Sequence, residues 1–347
     1  MIERLSDIFK GASETWEHTI PADLSYEGDP CAQGSGNLLI TGDNLSVCKT
    51  LLAGIRTETL PPINLIYLDP PFFSGTDYKV SARAADNSTL PVAEAVPLAA
   101  FSDRWHEPGM GKNDAFSNYL TSVAARIIAA HALLSEDGCL WLHLDHHAIH
   151  YVKVLADEIF GGRNHLINEV IWQYKSGGAT KKRFSRKHDT LLYYAKSPTK
   201  YKFLPQEEKS YNRGLKPYRF KGVKEYRDEM GWYTIVNMKD VWQIDMVGRT
   251  SRERTGYATQ KPEALLARII AACTNENDIC ADFYGGSGTL AAVCSGMNRG
   301  WISCDCNPVA SAVAARRLTE KNTSFSRLRM YRNVAGDETD SSDAAQG

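Results

Sequence analysis

The chain has 347 residues, a net charge of −1 and 43% hydrophobic residues, enough to fill one enlarged α/β domain or a domain with a smaller lobe. The near-neutral charge excludes a protein that is basic throughout, so any nucleic-acid contact has to come from local clusters of Lys and Arg. No apolar run nears the roughly 20 residues of a membrane helix, the start Met1-Ile2-Glu3-Arg4-Leu5 lacks a secretory pattern, and the eight cysteines show no Cys-x-x-Cys spacing; a cytoplasmic protein with reduced thiols is expected.

Residues 1–36 are mixed and polar and read as an N-terminal arm. Asn37-Leu38-Leu39-Ile40-Thr41-Gly42-Asp43 reads as a strand, followed by a helix with Leu45, Cys48, Leu51 and Leu52 on one face, for which Asp43 or Asn44 suits the N-cap. Ile63-Asn64-Leu65-Ile66-Tyr67-Leu68 then reads as a short buried strand, stopped by Asp69-Pro70-Pro71-Phe72 because two prolines cannot continue a ladder. In an open parallel sheet the C-terminal edge is where ligands bind, and this strand delivers Asp69 to it. An aromatic amine is a poor nucleophile, since its lone pair is delocalised into the ring. A carboxylate at 69 and the carbonyl of Pro70 could accept its two protons, with Pro71 fixing that carbonyl and Phe72 stacking on the base. A plain strand-ending turn is the competing reading. Residues 73–110 read as a loop, long enough beside that turn to be a lid or substrate clamp.

A helix is expected over 115–134, a turn over 135–138, a strand over 139–145 and a helix over 148–160. Two further strands, 169–174 and 189–195, flank a segment with Lys175, Lys181, Lys182, Arg183, Arg186 and Lys187, two glycines and no acid. Such a cationic hairpin tip suits phosphate contacts, and a merely solvated loop is the alternative. Residues 200–258 break the strand and helix rhythm and interleave aromatics with cations, among them Arg249, Arg252 and Arg254. Target recognition is expected there, alongside the reading of a small β lobe with packing aromatics.

Pro262 opens a helix at Glu263. A second apolar strand, Ile279-Cys280-Ala281-Asp282-Phe283-Tyr284, breaks into Gly285-Gly286-Ser287-Gly288 before a helix at Thr289, which brings backbone N–H groups beside a ligand. The next strand ends at Asp305, about 20 residues after Gly286, the spacing that brings a carboxylate to a ribose. A helix to about 318, a short strand over 328–334 and a disordered acidic tail over 335–347 complete the chain.

The ordered set at 37–43, 64–75, 138–145, 188–196, 259–270 and 282–305 resembles the β-group (type II and type III Mod-like) amino-methyltransferases of DNA, which methylate adenine N6 or cytosine N4. The resemblance implies an α/β fold with a circularly permuted Rossmann-like methyltransferase sheet: a catalytic half over 37–199, an inserted target-recognition region over 200–258, and an S-adenosylmethionine-binding half over 259–334. It implies Asp69, Pro70, Pro71 and Phe72 as catalytic residues, and Asp43, Lys261, Asp282, Tyr284, Gly286, Gly288, Thr289 and Asp305 as cofactor-binding residues. Asp43 would lie near the cofactor's adenine and Lys261 at its carboxylate. No metal is implied, so His143, Asp145, His146 and His147 are expected to line the sheet edge. Tyr284 replaces the family's usual Phe, Gly285 is an unusual neighbour, and Phe72 replaces a more frequent Tyr. Asp at the head of the catalytic motif favours adenine N6. The implied partners are double-stranded DNA, a restriction subunit and a second copy of the chain. Cytosine N4 or RNA as acceptor, a nicotinamide oxidoreductase using Gly286-Ser287-Gly288-Thr289-Leu290-Ala291, and a DNA-binding subunit without turnover are the alternatives.

Overall fold

The computed structural model describes residues 2–27, 36–79, 99–105, 111–176 and 180–331. It opens on helix α1 (Ile2–His18), strands β1 (Asp23–Tyr26) and β2 (Leu38–Thr41), helix α2 (Asn44–Arg56) and strand β3 (Ile63–Leu68). A two-stranded hairpin, β4 (Asp77–Lys79) and β5 (Ala99–Ser102), precedes α3 (Lys112–Leu133), β6 (Leu134–Leu144), α4 (Ile149–Ile159), β7 (Leu166–Gln173) and β8 (His188–Ala195). Strands β9 (Glu207–Tyr211), β10 (Glu225–Arg227) and β11 (Trp232–Asn237) form a separate three-stranded sheet. After β12 (Val241–Gln243) come α5 (Glu263–Cys273), β13 (Ile279–Asp282), α6 (Thr289–Gly296), β14 (Gly300–Asp305), α7 (Pro308–Glu320) and β15 (Ser326–Tyr331).

Ten strands form the main sheet in the order β1-β15-β2-β14-β13-β3-β6-β8-β7-β12. The six from β15 to β6 run parallel. Strand β8 is antiparallel to both its neighbours, which turns β7 and its parallel partner β12 back into the common direction. Side chains of β3 alternate across the sheet, as period two requires. Ile66 and Leu68 enter the core under α1 to α4, while Leu65 and Tyr67 enter the core under α5 to α7. The strand is therefore covered on both faces, which is why it reads as a continuous apolar run. The chain's two halves meet where β13 lies beside β3, so the acids ending β3, β13 and β14 share one sheet edge.

Several boundaries differ from expectation. The N-terminal arm over 1–36 is replaced, in its first half, by α1, which lays Ile8, Ala12 and Trp16 into the core against α3. Their spacing of four puts them on one helical face, a periodicity masked by the polar residues between them. The expected turn at 135–138 lies inside β6 as an irregularity between the pairs Ile63–Leu134 and Leu65–Cys139. The loop after Phe72 contains β4 and β5; residues 80–98 and 106–110 of the expected lid lie outside the described residues, as does the tail over 335–347. Strand β12 belongs to the main sheet, so the region 200–258 is not wholly an insert, and Trp242 is a packing residue between Trp141 and Arg268.

Candidate active site

The ends of β3, β13 and β14 open into a cavity of about 590 Å³ lined by residues 69–72, 257, 259–261, 284–287 and 305–308, with Asp282 and Thr289. That volume suits a nucleoside-sized ligand. The turn at 69–72 is held from behind. Asp103, buried, accepts hydrogen bonds from the backbone N–H of Phe73 (3.0 Å) and Ser74 (2.6 Å) and from Trp105 Nε1 (3.2 Å). Phe73 sits at φ 62, a left-handed conformation that a bulky side chain adopts only when its surroundings impose it. Asp103 supplies that constraint, and nothing in its local sequence announced it.

Asp69 presents its two oxygens differently. Oδ2 accepts a hydrogen bond from Lys261 Nζ at 2.5 Å, whereas Oδ1 is buried without a hydrogen-bond partner among the described residues. His143 Nδ1 lies 3.9 Å from Oδ1, outside hydrogen-bonding range. His143 is itself saturated, with Tyr67 Oη 2.6 Å from Nδ1 and Asp189 Oδ2 3.1 Å from Nε2. Phe72 lies against His143 with ring centroids 5.8 Å apart, and Lys261 Nζ sits 5.2 Å from the Phe72 centroid. An unpaired carboxylate oxygen beside an aromatic face is a receptor for an N–H donor on a flat ring.

The opposite wall carries the glycine loop. Asp305 accepts from the N–H groups of Gly286 (2.9 Å) and Asn307 (2.8 Å), and burial pushes its carboxyl above the usual range. Asp282 accepts from Tyr284 N–H at 2.9 Å, and burial, with Asp69 and Asp305 adding repulsion, pushes it up to about 8. Gly288 caps α6 at φ 71, where a Cβ would lie 2.8 Å from that of Ala314. It shapes the loop by packing and is not part of the cavity wall. The unusual Gly285 has a physical reason: its N–H donates to Cys304 O at 2.9 Å, and a Cβ there would overlap Ser303 Oγ. Gly285→Ala is expected to destabilise the protein by about 1–3 kcal/mol. Adding Ser303→Ala should recover most of that loss in urea titrations, since it removes the overlapping atom.

Of the expected residues, Asp69, Pro70, Pro71, Phe72, Lys261, Asp282, Tyr284, Gly286, Thr289 and Asp305 come together around the cavity. Asp43 does not. Its side chain caps α2 by accepting from Ser46 N–H at 2.9 Å and faces Arg126 at 3.8 Å, a capping role that can coexist with a cofactor contact. Lys261 lines the cavity, with its ammonium paired to Asp69. Tyr257, Asn307 and Pro308 line the cavity without having been singled out; each is near a recognised motif, but an isolated Tyr or Pro carries no pattern. His143 stands apart from Asp145, His146 and His147, whose ligand atoms lie within 4.8 Å of one another. His147 donates backbone N–H to Asp145 at 2.9 Å, the geometry of a turn into α4.

The basic segments reach the same edge. Strand β6 runs parallel to β3 and β8 runs antiparallel to β6, so the connection from β7 to β8 leaves the sheet beside the turn at 69–72. Strand β12 is parallel to β7, so residues 244–258 leave there too. Lys181, Lys182, Arg183, Arg186, Arg249, Arg252 and Arg254 are exposed. Lys175 is exposed and lies 4.0 Å from Asp245, and Lys187 instead closes the hairpin neck by donating to Ser176 O at 2.6 Å. In the three-stranded sheet, Tyr226 stacks on Tyr233, which Lys209 covers at 4.6 Å; these aromatics are occupied with one another.

The DNA methylase profile N6_N4_Mtase matches residues 63–316. The chain is 25% identical over 287 residues to the type II methyltransferase M.HpaI of Haemophilus parainfluenzae, covering 82% of this chain and 77% of that one. It is 25% identical over 286 residues to the DNA adenine methyltransferase YhdJ of Escherichia coli K12, covering 81% and 82%. Among solved structures it is similar to the PvuII cytosine-N4-specific DNA methyltransferase, at 16% identity and a TM-score of 0.50, over 84% of this chain and 90% of that one.

Proposed function

The chain belongs to the N6_N4_Mtase family of DNA methylases, and on that premise we propose that it methylates the N6 amino group of adenine in double-stranded DNA, using S-adenosylmethionine and a base turned out of the helix. The observation that carries the proposal is the buried, unpartnered Oδ1 of Asp69. An amino group inside a duplex cannot reach a bound cofactor, so the base has to enter the cavity alone. There one amine proton is received by Asp69 Oδ1 and the other by the carbonyl of Pro70, and the ring stacks on Phe72. Holding both protons localises the lone pair on nitrogen, the charge state that attack requires. Lys261 fixes the other oxygen of Asp69, so the carboxylate cannot rotate away. The proton released on methylation leaves along the hydrogen bond to Oδ1.

The cavity fits the methyl donor. Asp305 would receive the ribose hydroxyls, Asp282 the positive charge, and the N–H groups of the glycine loop and the walls of Tyr257 and Tyr284 the remainder. When bound, the donor supplies an electrophilic methyl group on a sulfonium. The raised Asp282 has a testable consequence. A cationic ligand favours the ionised carboxylate, so donor affinity is expected to rise as pH rises towards about 8 and to level off above it. In the ligand-free protein the sign is opposite: the contribution of Asp282 to stability is greatest below the unfolded pKa of about 3.9 and falls as pH rises towards about 8. Calorimetric donor titrations and thermal melts over that range, with Asp282→Asn flattening both profiles, check the pair.

Adenine is favoured by Asp at the head of the motif and by the adenine methyltransferase among the relatives. A restriction subunit and a second copy of the chain are partners within this reading. The first is supported by similarity to the EcoP15I Mod subunit of Escherichia coli, 25% identical over 173 residues, 48% of this chain and 25% of that one. Among the described residues no helix is long and apolar enough to cross a membrane, which accords with action on cytoplasmic DNA. Incubation with methyl-labelled donor and equal amounts of duplex DNA and RNA tests the acceptor class: label in the DNA supports the proposal, and label confined to RNA contradicts it.

A further inference from the structure

Phe184 is 97% exposed. A phenyl ring held wholly in water loses the burial energy that usually decides where such a residue sits. The hairpin that presents it is nonetheless built at both ends. Its neck is closed by Tyr174 N–H donating to Lys187 O at 3.0 Å, by Lys187 Nζ donating to Ser176 Oγ at 2.9 Å, and by Tyr174 Oη donating to Asp189 at 2.9 Å. Near its end, Thr180 Oγ1 donates to Arg183 O, which turns the chain immediately before Phe184. Asp189, the anchor of the neck, is the residue that also holds His143 beside Phe72 and Asp69. Arg183 and Arg186 come close enough to His146, at the end of β6, to add to the burial that lowers its pKa. The ring is thus carried on the catalytic rim, flanked by Lys181, Lys182, Arg183 and Arg186, all exposed.

A base that leaves a duplex leaves a gap between its neighbours, and the stacking lost there costs a few kcal/mol. Cations on either side of the ring would hold phosphates, and an apolar ring between phosphate contacts faces the base stack. We propose that Phe184 is the wedge that enters the DNA stack at the position vacated by the target base. It is a positioning residue, since it touches neither the transferred methyl group nor the amine. The inference rests on the methyltransferase reading above and goes beyond it, because nothing in the cavity requires a wedge or says which residue supplies one.

The test compares wild type, Phe184→Ala and Phe184→Trp in single turnovers on two duplexes. Both carry a target mapped on methylated genomic DNA; one is fully paired, and the other has an abasic site opposite the target base, which is then already loosely held. Phe184→Ala is expected to be slower by roughly 10- to 100-fold on the paired duplex and within about threefold of wild type on the abasic one, while Phe184→Trp stays near wild type on both. A 2-aminopurine at the target position should brighten with wild type and Phe184→Trp but not with Phe184→Ala. Equal rates for Phe184→Ala and wild type on the paired duplex would overturn the wedge, as would an equal loss on both duplexes, which marks a general DNA contact. Wild type inactive on both duplexes would instead overturn the methyltransferase reading and the wedge with it.

Discussion

Asp69→Asn is expected to lower the rate of methyl transfer at saturating donor and DNA by about 10³-fold or more, with donor affinity changed only a few-fold. The substitution keeps the shape of the side chain and replaces one acceptor by an N–H₂ donor. An amide that turns its N–H₂ towards the cavity meets the amine of the base donor to donor. If it turns the other way, the N–H₂ meets Lys261 Nζ, which lies 2.5 Å from Oδ2 in the native protein. Neither orientation serves both neighbours, so the loss falls on the chemical step. A residue that only ended β3 would leave kcat unchanged, and rapid-quench measurement of single turnovers separates the two roles. Lys261→Met should show a smaller loss, since Asp69 would keep both acceptors and lose only the group that fixes their direction.

Glu263→Ala is expected to be the most destabilising single change at the rim of the site, by about 3 kcal/mol, which for a chain of this size is a fall of several degrees in the thermal midpoint. Glu263 opens α5 and accepts from Arg317 Nη2 and Lys321 Nζ, each at 2.7 Å. Burial raises the Glu263 carboxyl, but these two cations outweigh it and hold the pKa below the ordinary value. Its contribution is therefore complete above the unfolded carboxyl pKa and is lost as pH falls through the lower, folded value. Arg317 is the reason for the size of the effect: its side chain is 4% exposed. Its Nη1 donates to Thr289 Oγ1 at 2.9 Å and to Ser287 O at 3.2 Å, so the same guanidinium ties α7 to the glycine loop. Removing Glu263 leaves that charge buried without its anion. Glu263→Gln keeps an acceptor and should lose less than half as much in urea titrations, and donor affinity should weaken with the alanine variant because Ser287 and Thr289 are released.

What the sequence disclosed of this site is what lies close together along the chain. Residues 63–72 carry their own strand, stop and aromatic, and residues 279–289 carry a strand, a glycine turn and a helix start, so both motifs and the sheet edge they share were legible. The place of Asp305 at the cavity followed from the same local spacing. Contacts made across the fold were not legible. Lys261 reaches Asp69 over 192 positions, and a lysine in a polar segment gives no sign of which carboxylate it will meet. Asp43 satisfied the pattern for two compatible roles, of which the geometry of α2 displays the cap. His143 stood in a group of histidines with metal-ligating character, but it lies inside β6, buried against Tyr67 and Asp189, whereas Asp145, His146 and His147 follow the end of that strand and stay at the edge. In the same way α1 buries three residues among exposed ones, a weak signal until α3 is there to receive it.

Nucleoside mass spectrometry reads out methylation of adenine N6 at this site without an intervening assumption. Unmethylated genomic DNA incubated with S-adenosylmethionine and either wild type or Asp69→Asn would be digested to nucleosides and quantified. The expected result is N6-methyladenine with wild type and none above background with the variant. N4-methylcytosine in its place, or N6-methyladenine undiminished in the variant, would contradict the claim.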